Sequence, residues 1–223
     1  MERLTRPANR QKDPPCTHTR VAKIFASAQA SAASHSRNCV ALSQLHESDC
    51  RRKCSGADPE EDNFTALFLE MLSRVLATKK GYVFGDRIVK FVAVYIAHIN
   101  KSARSFAHAF TLDVLQWLKP GCSAKNKSVR YRVVHVITEI VAHLPTGINK
   151  CDIATKVWQE MKERAEDVET SIRMLVLVLL CSLCDDFQRQ GDHNTLANIE
   201  VVVHYSLASD PSADIRQALI QLL

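Results

Sequence analysis

The chain has 223 residues, 46% of them hydrophobic, which is enough for one large core or two small ones. Six glycines and seven prolines are too few for a β-rich fold with many tight turns. The formal charge is only +5, but its distribution is uneven: residues 1–78 carry +2, residues 79–132 carry +9 and residues 133–223 carry −6. No apolar run has the length of a membrane span, and the first residues, MERLTRPANRQKDPP, lack the apolar core of a secretory signal. The eight cysteines are therefore expected as free thiols.

In chain order, residues 1–15 are polar and end in Pro14-Pro15, and they read as a disordered tail. Apolar residues at spacings of three and four then predict helices over 17–33, 36–52, 62–78, 86–101, 104–119, 127–144, 151–166, 169–188, 194–208 and 212–223. Breaks between them follow local chemistry. Ser55-Gly56-Ala57-Asp58-Pro59 is a polar linker; Gly81 and Gly85 bracket a loop after Lys79-Lys80; Pro120-Gly121 and Pro145-Thr146-Gly147 stop helices. Asp210-Pro211 reads as a helix start, with the Asp as cap and Pro at the first helical position. The 169–188 helix is apolar nearly all round and is expected to be buried between neighbours.

Periodicity is the strongest signal. Arg87, Arg130, Arg173 and Arg216 recur every 43 residues, each opening an apolar helix, and Asp167 and Asp210 each lie six positions before the next Arg. A two-helix unit of that period is the HEAT/armadillo signature, because one helical pair cannot hide its apolar face and a stack of pairs can. The expected fold is all-α: a solenoid of antiparallel helix pairs over residues 16–223, truncated at its C-terminal end because Leu222-Leu223 lie inside an apolar helix. The repeated arginines are expected to be structural, bonding Asp or backbone carbonyls of their own or the next repeat.

Three segments, SHSRNCVALSQLH (34–46), FLEMLSRVLATKKGYVFGDRIVKFVAVYI (68–96) and LQWLKPGCSAKNKSVRYRVVHVITEI (115–140), resemble the N-terminal region of the condensin complex subunit 3 family, the G-type non-SMC subunits, with fungal members nearest. ASDPSADIRQALIQLL (208–223) resembles the next HEAT repeat of that family. The resemblance implies a non-catalytic solenoid in the nucleus and on chromosomes, and cytoplasmic outside mitosis. Such a subunit binds the condensin kleisin chain and, through it, the SMC ATPase pair. With the kleisin it holds double-stranded DNA in a basic groove for mitotic chromosome condensation. The family's full groove also draws on later repeats.

The basic block supplies the candidate DNA surface. Lys79 and Lys80 precede the Arg87 helix, and Lys90 lies one turn after Arg87; Lys125 and Lys127 occupy the equivalent loop one repeat later, before Arg130 and Arg132. Stacking is expected to align Lys79, Lys80, Arg87, Lys90, Lys125, Lys127 and Arg132 into a stripe that suits phosphates and reads no base code. Tyr82 and Tyr131 look too isolated for a base-stacking platform. An adaptor that binds only protein is the rival reading, and steep salt dependence of DNA affinity separates the two.

Other constellations are weaker. His46, Cys50 and Cys54 share a helical face, but the spacing is not that of a zinc finger and Arg51, Arg52 and Lys53 oppose a cation. Cys181-x-x-Cys184 sits late in an apolar helix, where thiols act as small hydrophobes. No nucleophile elbow, phosphate loop, metalloprotease or dinucleotide motif is present, so no enzyme, cofactor, metal or small-molecule substrate is expected. Trp117 and Trp158 are expected in core or inter-repeat packing, or in a groove for the kleisin peptide.

Overall fold

The periodicity resolves into ten α-helices in the computed structural model, which describes residues 16–55 and 63–222. They are α1 (Thr17–Ala30), α2 (His35–Cys54), α3 (Phe64–Leu76), α4 (Val83–Lys101), α5 (Ala107–Leu118), α6 (Lys127–His143), α7 (Ile148–Met161), α8 (Thr170–Gln190), α9 (His193–Ser209) and α10 (Ala213–Leu222). The expected tail 1–15 and the Gly56–Pro59 part of the expected linker lie outside the described residues. Among the described residues there is no strand, and no helix is long and apolar enough to cross a membrane.

Helices pair in sequence, and the second members of successive pairs stand side by side: α4 packs on α6, α6 on α8 and α8 on α10, while α1 and α2 both close on α4. This is the HEAT-type α-solenoid expected from the repeat. Side-chain caps start α3, α6 and α9, with Asn63, Asn126 and Asp192 accepting from the backbone N–H of Thr65, Ser128 and Thr195. At the N-terminal end the core is aromatic. Phe25, Phe64, Phe68, Phe91, Tyr95 and Phe110 interlock at centroid distances of 5.1–6.3 Å. Further along it turns aliphatic, through Val133, Val136, Ile140, Val176, Leu177 and Leu180.

The repeated arginines tie the stack together. Arg130 donates from Nε and Nη2 to the two carboxylate oxygens of Asp167, at 3.0 and 3.2 Å, and Arg173 does the same to Asp210. Arg87 has no such partner, because the position one period before Asp167 is Ala124. Its Nη1 turns the other way and donates to the last carbonyls of α1, Gln29 O and Ala30 O, at 3.3 and 2.7 Å. Arg216 donates to Asp210 O.

Three local expectations are corrected. Gly85 is not part of a loop: α4 begins at Val83, and Gly85 sits in its first turn because a Cβ there would lie 2.6 Å from Thr78 Oγ1 and 3.1 Å from Arg132 Nη2. Of these two glycines, it is Gly81 that takes the left-handed conformation, at φ 77°. Pro211 precedes α10 instead of opening it; Asp210 ends α9, and its carboxylate accepts from Ser212 N–H as well as from Arg173. The apolar α8 is not wholly buried, since Leu177 and Leu180 are in the core but Val178 is 38% exposed and Cys181 is half-buried.

Candidate nucleic-acid interface

The loop between α3 and α4 is held by its own turn and by the next repeat. Thr78 Oγ1 donates to Val75 O, Gly81 reverses the chain, and Tyr82 N–H donates to Lys79 O. That same Lys79 carbonyl accepts from Arg132 Nη2 at 2.7 Å, and Arg132 Nη1 donates to Asp86 in the first turn of α4. A guanidinium from α6 thus fixes the loop of the preceding repeat to its own helix. The Lys79 and Lys80 side chains project from this loop into solvent.

The equivalent loop one repeat later is shaped by Arg130, whose Nη1 donates to Ala124 O and Lys125 O at 2.9 and 3.1 Å. Lys125 and Lys127 are exposed. The first loop reaches the start of α6 through an aromatic ring: Lys80 Nζ lies 5.9 Å from the Tyr131 centroid, and Tyr131 is one helical turn after Lys127. Lys79, Lys80, Lys125 and Lys127 therefore share one edge of the solenoid, where first helices turn into second ones. Lys90 is exposed on α4, one turn beyond the half-buried Arg87.

Charge pairing thins the basic block from within. Lys119 pairs with Glu160, Arg104 with Glu47, Arg130 with Asp167 and Arg132 with Asp86. Lys127 approaches Glu169 at 3.4 Å, in a pair exposed enough to break at little cost. Lys79, Lys80, Arg87, Lys90, Lys101 and Lys125 make no ion pair with a carboxylate among the described residues, so their charge is uncompensated locally. The ledge ends at the third repeat. There Lys125 borders a hollow lined by Arg130, Glu163, Arg164 and Glu166.

Arg132 does not belong to this surface. It is fully buried, its guanidinium is spent on Asp86 and the Lys79 carbonyl, and it acts by positioning the loop that carries Lys79 and Lys80. Arg87 is partly committed too, through its bonds to the end of α1. Lys101 belongs to the same basic block, and no motif or loop signal in the sequence marks it out. It is exposed on α4 eleven residues after Lys90, three turns along the same face. Tyr82 is not isolated either: its ring meets Phe84 edge-on at 5.6 Å, and Arg87 covers Phe84 at 5.6 Å.

The cysteine and histidine groups have other roles. His46 is buried between Phe64, Phe106 and Phe110, with Nδ1 2.9 Å from Tyr95 Oη, and burial pushes its imidazole down to about 3. Cys50 is half-buried and Cys54 exposed, and no group of potential metal ligands occurs among the described residues. Burial raises the thiols of Cys39 to about 12 and of Cys184 to about 11, which suits packing and not nucleophilic chemistry. Trp158 is in the core, while Trp117 is 36% exposed.

No protein-family model matches the chain. Its sequence is similar to condensin complex subunit 3 from Saccharomyces cerevisiae, at 26% identity over 219 residues, covering 89% of the chain and 20% of that relative. Condensin complex subunit 3 from Schizosaccharomyces pombe matches at 24% over 198 residues, with the same coverages. The chain thus spans about a fifth of the length of the curated relatives it matches. Its fold is that of a chain in the crystal structure of the S. pombe condensin Cnd3–Cnd2 subcomplex, with a TM-score of 0.64 at 21% identity over 89% of this chain and 23% of that one.

Proposed function

From this kinship with condensin complex subunit 3, we propose that the chain is a non-catalytic HEAT-repeat scaffold of condensin that binds the kleisin subunit and the backbone of double-stranded DNA. It acts in the nucleus, on chromosomes, in mitotic condensation, and reaches the SMC ATPase pair through the kleisin. The kleisin partner is carried over from the two-subunit composition of the solved relative. DNA binding rests on one observation of this chain. Two consecutive repeats present lysines without a buried counter-charge on a single edge, and the buried Arg132 guanidinium, bonded to Asp86 and the Lys79 carbonyl, fixes the first of the two loops that carry them.

Lysines along a track contact phosphates without reading bases, so the interaction is sequence-independent and driven by counterion release. Each phosphate contact adds about 0.9 to the slope of log affinity against log salt. Copurification with the kleisin segment, followed by DNA titration at two salt concentrations, tests the reading. Kleisin retention and a steep loss of DNA affinity with salt support it. A complex that ignores DNA at low salt contradicts the DNA half, and failure to retain the kleisin contradicts the other.

A further inference from the structure

We infer that Tyr82 and Phe84 form a non-ionic contact to the sugar–phosphate backbone of duplex DNA, set within the lysine ledge; the inference rests on the DNA-binding reading above and deepens it. Tyr82, Val83 and Phe84 are 45%, 55% and 44% exposed, and among the described residues no other three consecutive large apolar side chains face solvent. Leaving such a run in water is unfavourable, and the surrounding structure does not release it to fold inwards. The chain enters through Gly81 at φ 77°, Tyr82 N–H is bonded to Lys79 O, and that carbonyl is held by the fully buried Arg132.

The rings are ordered against one another. Tyr82 meets Phe84 edge-on at 5.6 Å, and Phe84 carries the Arg87 guanidinium at 5.6 Å. Lys79 and Lys80 lie just before them in the same loop, and Arg87 one turn after Phe84 on α4. The apolar pair is therefore bracketed by cations with no carboxylate partner, which suits an anionic polymer whose charges alternate with apolar sugar rings. A phosphate on either side is met by lysine, and the deoxyribose between them is met by an aromatic face. Rigid aromatic side chains lose little conformational freedom on contact, so the rings add affinity that salt does not remove.

The experiment separates the two parts of the affinity. DNA binding is measured across a range of salt for the parent, for Tyr82→Ser/Phe84→Ser and for Lys79→Ala/Lys80→Ala, with the kleisin segment bound. Circular dichroism confirms that each variant melts like the parent. The aromatic variant is expected to lose roughly tenfold in affinity at every salt, the scale of covering two half-exposed rings, with an unchanged slope. The lysine variant is expected to lower the slope by about 1.8. An aromatic variant that binds DNA like the parent overturns the inference, and so does one whose loss appears only as a changed slope. If the lysine variant lowers the slope while the aromatic variant is silent, the DNA reading stands and this inference alone falls. A parent that does not bind DNA removes both. Loss of kleisin retention in the aromatic variant, with DNA affinity intact, assigns the rings to a protein contact and likewise overturns it.

Discussion

Arg173 and Asp210 face one another across 37 residues as a closed fork, Nε to Oδ2 at 2.8 Å and Nη2 to Oδ1 at 2.9 Å, both side chains nearly buried. The pair joins the start of α8 to the end of α9, and Arg130–Asp167 repeats it one unit earlier. Arg173 Nη1 also donates to Asp167 O, so the residue that closes one fork supplies a carbonyl to the next. The forks are rungs of a ladder that sets how successive repeats stack.

Removing one partner of a buried pair leaves the other charge without water or counterion. Asp210→Ala is therefore expected to destabilise the chain by about 3 kcal/mol, measured by denaturant unfolding. Glu169→Ala, which removes the exposed partner of Lys127, is expected to change stability by less than about 1 kcal/mol. Equal effects would mean that the forks do not bear on stacking.

Arg132 separates positioning from binding. Arg132→Ala is expected to cost about 3 kcal/mol, since it strips the Lys79 carbonyl of a donor and leaves Asp86 without its cation. Below its melting transition, its DNA affinity is expected to fall without the slope reduction of about 0.9 that loss of a direct phosphate contact brings. A full reduction of the slope with unchanged stability would put Arg132 back on the surface.

His46 gives the fold an acid sensitivity. Burial holds its imidazole at about 3, against about 6.5 when unfolded, so the folded state is favoured fully above pH 6.5. As pH falls from about 6.5 towards about 3, the unfolded chain takes up the proton that the folded chain refuses. His46 then removes stability at up to about 1.4 kcal/mol per pH unit. Stability of His46→Gln, followed by denaturant unfolding between pH 7 and 5, is expected to show a shallower decline than the parent. Parallel curves would contradict the assignment.

Most of the fold was legible in the sequence, because a 43-residue period and three-four apolar spacing are set by backbone geometry and need no partner to be read. The structural role of the repeated arginines was legible for the same reason, with Asp167 and Asp210 in fixed register. What escaped depends on contacts between repeats. Arg132 looks like one more cation of a basic run, and only the approach of Asp86 and the Lys79 carbonyl from the neighbouring pair makes it internal. Gly85 looks like a loop glycine until Thr78 and Arg132 crowd its missing Cβ. Tyr82 and Phe84 are separated by one residue in sequence, and their edge-on contact and joint exposure follow from the start of α4 at Val83, earlier than the apolar spacing indicates.

The central claim, that consecutive repeats present one phosphate-binding ledge, is tested most directly by reversing its charge. Lys79→Glu, Lys80→Glu, Lys125→Glu and Lys127→Glu are combined in one chain, and duplex DNA affinity is titrated against salt with the kleisin segment bound. All four side chains are exposed, so the melting temperature is expected to stay within a few degrees of the parent's. DNA affinity at about 0.1 M salt is expected to fall at least a hundredfold, and the salt slope to drop by about three or more. A folded variant that binds DNA with the parent's affinity and slope would contradict the account.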